Sequence, residues 1–196
     1  VKMRILQYVN NRIFNPQSKS VLCLKSKPGY GKTELAKILA TSLGLPFECI
    51  NFGGVSESST LVGVDMCYVG AQPGHILVCL KNMGCSNGVL LLDEIDKISS
   101  KNRDVENTLI HILDYNHNNR FQDLYMSEFY HDISKLFMIV TINDDSNLHI
   151  ALRDRMDIIE IPEYSSDDIH NIMIGFMLPK VLVNIGLDKT DMSFSY

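Results

Sequence analysis

The chain has 196 residues, 45% of them hydrophobic and 21% charged, and a formal net charge of −5 at pH 7. That length suits one domain, or one domain and part of another, with a sizeable core. The composition excludes a disordered chain, and the acidic balance gives no general electrostatic footprint for nucleic acid.

Val1–Arg12 carries apolar residues at Met3, Ile5, Leu6 and Val9, with Ile13 just beyond, the spacing of an amphipathic helix that Pro16 and Ser18 would break. Val21–Leu24 reads as a first buried strand. A helix from Lys32 should stop near Gly44 and Pro46. Phe47–Phe52 reads as a second strand and Gly53–Ser59 as a polar loop. Leu61–Gly74 looks irregular, with an exposed Tyr68-Val69-Gly70, before a helix over Ile76–Met83. Val89–Asp93 is the strongest strand, four aliphatic residues ending in an acid. Asp104–Tyr115 has helical periodicity, Asn116–Asn119 is turn-like, and Phe121–Tyr130 alternates as a hairpin would. Leu136–Ile142 reads as a strand, Leu148–Met156 as a short helix and Ile158–Ile161 as a last strand. Ser165 and Ser166 before Asp167 and Asp168 suit the cap of a helix running to Leu178. Strands alternating with helices predict an α/β fold: a doubly wound, three-layer αβα domain around about five parallel strands.

Five cysteines, Cys23, Cys49, Cys67, Cys79 and Cys85, form no C-x-x-C pair and have no histidine at metal-ligand spacing. An odd count without a framework predicts reduced thiols in a cytoplasmic or other reducing compartment. No apolar run is long enough to span a bilayer, so no membrane association is expected. The start at Val1 and the polar stretch Asp188–Tyr196 suggest a piece of a longer protein.

The chemistry concentrates in Ser26–Thr33, SKPGYGKT, between the first strand and the helix that follows. A strand, a glycine-rich turn and a helix start form a phosphate-binding loop, where backbone N–H groups and the helix N-terminus converge on an anion. Pro28, Gly29, Tyr30, Gly31, Lys32, Thr33 and Glu34 are the candidate nucleotide-contacting residues. Lys32 would reach the β- and γ-phosphates and Thr33 would hold Mg²⁺. Ser26 stands where the usual pattern has its first glycine, which requires a negative φ at that position. The run LLLDEID, Leu90–Asp96, places two carboxylates at the carboxyl end of a buried strand, where open α/β sheets bind ligands. Asp93 would bind Mg²⁺ and Glu94 would activate water. Asn143, at the end of Leu136–Ile142, could orient that water or contact the γ-phosphate. Arg153 and Arg155 are both candidates for an arginine finger, and both could instead pair locally with Asp154 or Asp157.

Taken together, SKPGYGKTELAKILATSLGLPF, GGVSESSTLVG, YVGAQPGHI, LLLDEIDK and DRMDIIEIP resemble the AAA+ ATPase module of the Lon protease family, an ATP-dependent serine protease family. The resemblance covers Val1 to about Leu187. It implies a P-loop ATPase using ATP and Mg²⁺ in a homo-oligomeric, usually hexameric ring that unfolds and translocates polypeptide. By the same resemblance Asn143 matches the first sensor and Arg155 the arginine finger acting on a neighbour's nucleotide. Tyr68 and Val69 match the substrate-gripping pore loop, and Phe121–Tyr130 the region of the second pore loop. The implied organisation is a large α/β ATPase domain over residues 1–178 and the start of a helical lid at 179–196, with no protease domain in this chain. Val64, Asp65 and Met66 stand where the family usually carries basic residues. The alternative is a nucleotide-gated binding or assembly module without productive hydrolysis. A nucleic-acid remodeller is disfavoured by the net charge.

Overall fold

The computed structural model describes residues 1–15, 20–55, 57–98, 102–146 and 148–186. The expected helix-breaking Pro16 and Ser18, and the polar end of the chain, lie outside them. The chain divides into two compact units, residues 1–161 and the segment from Pro162 onward.

The first unit is built on a five-stranded parallel sheet in the order β2-β3-β6-β1-β7. Its strands are β1 (Val21–Lys25), β2 (Phe47–Asn51), β3 (Val89–Asp93), β6 (Phe137–Ile142) and β7 (Met156–Glu160). Every residue of β3 and β6 is buried, because runs that are apolar except for Asp93 and Thr141 present side chains to both faces. Leu22, Leu24, Leu91 and Ile139 face one layer, together with α1 (Lys2–Phe14) and α2 (Lys32–Leu43). Cys23, Leu90, Leu92 and Val140 face the other, against α4 (His75–Met83) and α5 (Arg103–Leu113). The expected three-layer doubly wound sheet is therefore the fold. It brings the carboxyl ends of β1, β3 and β6 side by side, since Leu92 pairs with Val140 and Leu24 with Thr141.

Several boundaries differ from the sequence reading. Helix α1 buries Ile5, Tyr8 and Val9, while Met3 and Ile13 face solvent at 69% and 60% exposure. Tyr8 is recruited by its hydroxyl, which donates to the Ser20 carbonyl (2.9 Å) and accepts from Leu22 N–H (3.0 Å) at the start of β1. Where the expected polar loop meets the expected irregular stretch, Ser59–Val62 forms one helical turn, α3. The helix expected over Leu148–Met156 is only α6, Ile150–Arg153. Strand pairing takes over there: Val21 N–H donates to the Arg155 carbonyl (2.8 Å) and Met156 pairs with Val21. The hairpin forms a short antiparallel ladder between β4 (Phe121–Gln122) and β5 (Tyr130–His131).

In the second unit Ser165 caps α7 (Ser166–Ile172) in a reciprocal capping box with Asp168. The helical path does not end at Leu178. A π-helical turn, Met173–Met177, leads into α8 (Leu178–Ile185), which closes on Gly186. Pro179 falls in the first turn of α8, where a missing N–H is tolerated, and the preceding turn's wider hydrogen-bond spacing leaves room for its ring.

Candidate nucleotide site

The phosphate loop joins β1 to α2 and ends on Gly31, the N-cap of α2, at φ 75°. A side chain there would strain the turn that aims the first helical N–H groups into the loop. Lys32 is buried, and its ammonium donates to the Ser26 carbonyl (2.7 Å), the Asn143 amide oxygen (2.9 Å), Ser26 Oγ (3.2 Å) and the Lys27 carbonyl (3.2 Å). Burial pushes its pKa down, while the negative charges of Asp96, Asp93 and Glu94 oppose that shift. Among the described residues Glu94 is the one non-glycine with positive φ, so Ser26 meets the loop's geometry with an ordinary backbone. Lys25, one of the lysines flanking the loop, is held instead by Asp145 (2.9 Å) and Glu160 (3.8 Å).

Thr33 Oγ1 lies 3.1 Å from Asp93 Oδ2, so the expected metal-binding hydroxyl and carboxylate meet. Asp93 sits at the end of β3 and is only 9% exposed. Thr141, fully buried on the neighbouring β6, donates its hydroxyl proton to Asp93 Oδ1 and accepts the Glu94 N–H at 2.9 Å. Glu94 has φ 58°, a left-handed conformation that costs a residue with a side chain about 1–3 kcal/mol. Its carboxylate lies beside the Asn51–Gly53 turn at the end of β2; a Cβ on Gly53 would stand 3.4 Å from Glu94 Oε2.

Asn143 extends from the end of β6. Its amide oxygen accepts from Lys32, and its buried amide nitrogen has no hydrogen-bond partner among the described residues. An unpartnered buried donor beside the phosphate-loop lysine fits an anionic ligand. Asp96 Oδ1 is likewise buried and unpartnered. Lys32 with Asn143 and Thr33 with Asp93 thus form two pairs joined through consecutive residues of α2, and the chemistry of that set, an ammonium, a hydroxyl, a carboxylate and an amide, suits a metal-bound polyphosphate.

Arg155 is not part of that set. Its guanidinium donates to Asp114 Oδ2 (2.7 Å) and to the Ala151 carbonyl (2.8 Å), and its buried Nε has no partner among the described residues. The ion-pair partner is thus Asp114, just beyond α5, rather than Asp154 or Asp157. The Arg155 hydrogen bond holds the Asp114 carboxyl down at about 2. Arg153 is more exposed and pairs with Asp145 at 3.3 Å.

Tyr68 and Val69 project from the 63–74 loop at 68% and 107% exposure. Of the aromatic residues expected around the second loop, Phe121 is buried at the hairpin base, while Phe129 and Tyr130 are exposed. Arg120 stacks over the Tyr130 ring at 4.7 Å. Thr141, Asp114 and Asp123 escaped the sequence reading. Only Thr141 left a signal: one hydroxyl in an otherwise apolar strand, next to the acid-ending strand in the sheet.

A parallel sheet carrying a phosphate loop on one strand, paired carboxylates on a second and a polar amide on the strand between them defines an ATPase of the P-loop class. The sequence pattern of the ATPase family associated with various cellular activities (AAA) matches residues 22–164, and the chain belongs to that family. The chain is 39% identical over 197 residues to the Lon protease of Halothermothrix orenii, covering 100% of this chain and 25% of that protein. It is 41% identical over 194 residues to Lon protease 1 of Bacillus subtilis, covering 98% of this chain and 25% of the relative. For the Lon protease of Brevibacillus choshinensis the figures are 40% over 190 residues, 96% and 24%. The chain thus matches the AAA module of Lon proteases and spans about a quarter of the length of these relatives. No helix among the described residues is long and apolar enough to cross a membrane.

Proposed function

We propose that this chain is the Mg·ATP-hydrolysing motor module of a Lon-like ATP-dependent protease, working in a homo-oligomeric, hexameric ring on unfolded polypeptide. The observation that carries the reading is that the consecutive Lys32 and Thr33 pair with Asn143 and Asp93, at the carboxyl ends of two neighbouring strands. Lys32 and the N–H groups of the Pro28–Glu34 turn would hold the phosphates, and Thr33 and Asp93 the magnesium ion. When bound, that ion neutralises charge on the phosphates. Glu94 takes the proton of the attacking water, Asn143 orients that water through its free amide nitrogen, and Arg155 serves the neighbouring subunit's site. Tyr68 and Val69, exposed at a loop tip, grip the polypeptide.

The test is steady-state ATP hydrolysis per subunit across a wide range of protein concentration. A rate that rises with concentration is expected, because each site is completed by a neighbour. A constant specific rate at all concentrations would refute completion in trans. ATP binding without turnover would favour a nucleotide-gated assembly module. The observation that speaks for that second reading is Ser26, whose hydroxyl adds an acceptor to Lys32 that a glycine would lack.

A further inference from the structure

Asp123 is fully buried and forms no ion pair among the described residues. Its carboxylate is spent on backbone N–H groups from two separate loops. Oδ2 accepts from Gly74, the last residue of the Tyr68 loop, at 2.9 Å, and Oδ1 accepts from Tyr125, in its own hairpin, at 2.9 Å. A second tie runs alongside, since Leu124 N–H donates to the Val62 carbonyl at 2.7 Å. The Tyr68 loop is itself closed at its base by Val64 N–H to the Gln72 carbonyl at 3.0 Å. The junction has no room for a side chain at either of its glycines. Gly63 has φ 79°, and a Cβ there would stand 2.8 Å from Asp123 Oδ1 and 2.8 Å from Gly74 N. A Cβ on Gly74 would overlap the Leu61 carbonyl. A buried carboxylate is costly unless its oxygens are satisfied, so breaking one tie here exposes the cost of the others.

We propose that Asp123 is a positioning residue that joins the 63–74 loop to the 121–131 hairpin, so that the two loops move as one body rather than as independent fingers. Its link to polypeptide handling rests on the reading of Tyr68 as a gripping residue; the joint itself does not.

Two measurements on the assembled, full-length protein separate these points. The first is amide hydrogen exchange. In the native protein, Gly74, Leu124 and Tyr125 should open together, with protection factors within about threefold of one another, as members of one cooperative unit do. Asp123→Asn keeps the shape but turns one acceptor into a donor facing an N–H. It should speed exchange in both loops together, by about tenfold for a lost bond to a charged acceptor. Faster exchange in one loop alone, or native protection of Gly74 and Tyr125 differing by more than about tenfold, would overturn the joint. The native comparison stands even if the variant does not fold. The second is the ratio of ATP turnover with and without unfolded casein. Asp123→Asn should lower that ratio towards the value for Tyr68→Ala. A ratio equal to that of the unaltered protein, with exchange in both loops accelerated, would overturn the role in polypeptide handling. An unchanged ratio in Tyr68→Ala would instead refute the gripping reading, and the exchange data would still decide the joint.

Discussion

Replacing Thr141 by valine should destabilise the domain and misplace both site carboxylates without changing side-chain volume appreciably. The Thr141 hydroxyl donates to Asp93 and accepts the Glu94 N–H. Losing the first, a hydrogen bond to a charged group, costs about 1.5–3 kcal/mol, and leaving the Glu94 N–H without an acceptor costs about 1–3 kcal/mol. Part of this is offset, because Glu94 is then free to leave its left-handed conformation, worth about 1–3 kcal/mol. The net expectation is a loss of about 2–3 kcal/mol. Urea denaturation followed by far-ultraviolet circular dichroism reads the midpoint and slope. Thr141→Ser is the control: it keeps the hydroxyl and removes only a buried methyl, for about 1 kcal/mol. A valine variant within about 0.5 kcal/mol of the unaltered protein, or a serine variant as unstable as valine, would refute the hydroxyl's role.

Glu94→Gln should retain nucleotide affinity and lose turnover by about 10²–10⁴-fold, read by equilibrium binding and steady-state hydrolysis; retained turnover would remove Glu94 as the base. Arg155→Ala should lose about 10³–10⁵ in kcat and regain activity when mixed with Glu94→Gln subunits, which still offer their arginine. The absence of rescue in the mixture would contradict action in trans. Asp114→Asn should lower stability by about 1 kcal/mol, half of what the shift would give without solvent screening. Because the Asp114 carboxyl is held at about 2, below its ordinary 3.8, its contribution is complete above about pH 4. The contribution disappears as pH falls towards 2, so the gap between the two proteins should close across that window. A gap unchanged at pH 2 would rule out the ion pair as its source.

The sheet was legible because its evidence is local. Leu90–Asp93 is an unbroken aliphatic run ending in an acid, and Gly29 and Gly31 punctuate the turn before Lys32. Such patterns report burial and turn geometry within a few residues. What stayed hidden depends on distant partners. Thr141 meets Glu94 from 47 positions away, Asp123 meets Gly74 from 49, and Arg155 meets Asp114 from 41. Nothing local distinguishes Asp114 from the acids nearer Arg155 in sequence, so sequence alone points to Asp154 or Asp157 instead. Periodicity does not register Tyr8 because it takes no account of the hydroxyl that ties α1 to β1. Leu148–Met156 reads as a short helix, yet the ladder to β1 claims its last residue.

The Lys32 ammonium has three protons to donate and four oxygens of the protein's own already within hydrogen-bond distance. On the proposed function, a phosphate arriving at Lys32 would therefore be a competitor and not a first partner. Its contact with Lys32 would be an exchange of oxygens, so the heat released on binding should be smaller than the number of phosphate contacts suggests. Released from the ammonium, the Asn143 amide oxygen must find another donor, and the side chain is then free to turn. One displacement would thus couple the arrival of a ligand to the reorientation of a group on a different strand, with no large movement of the backbone.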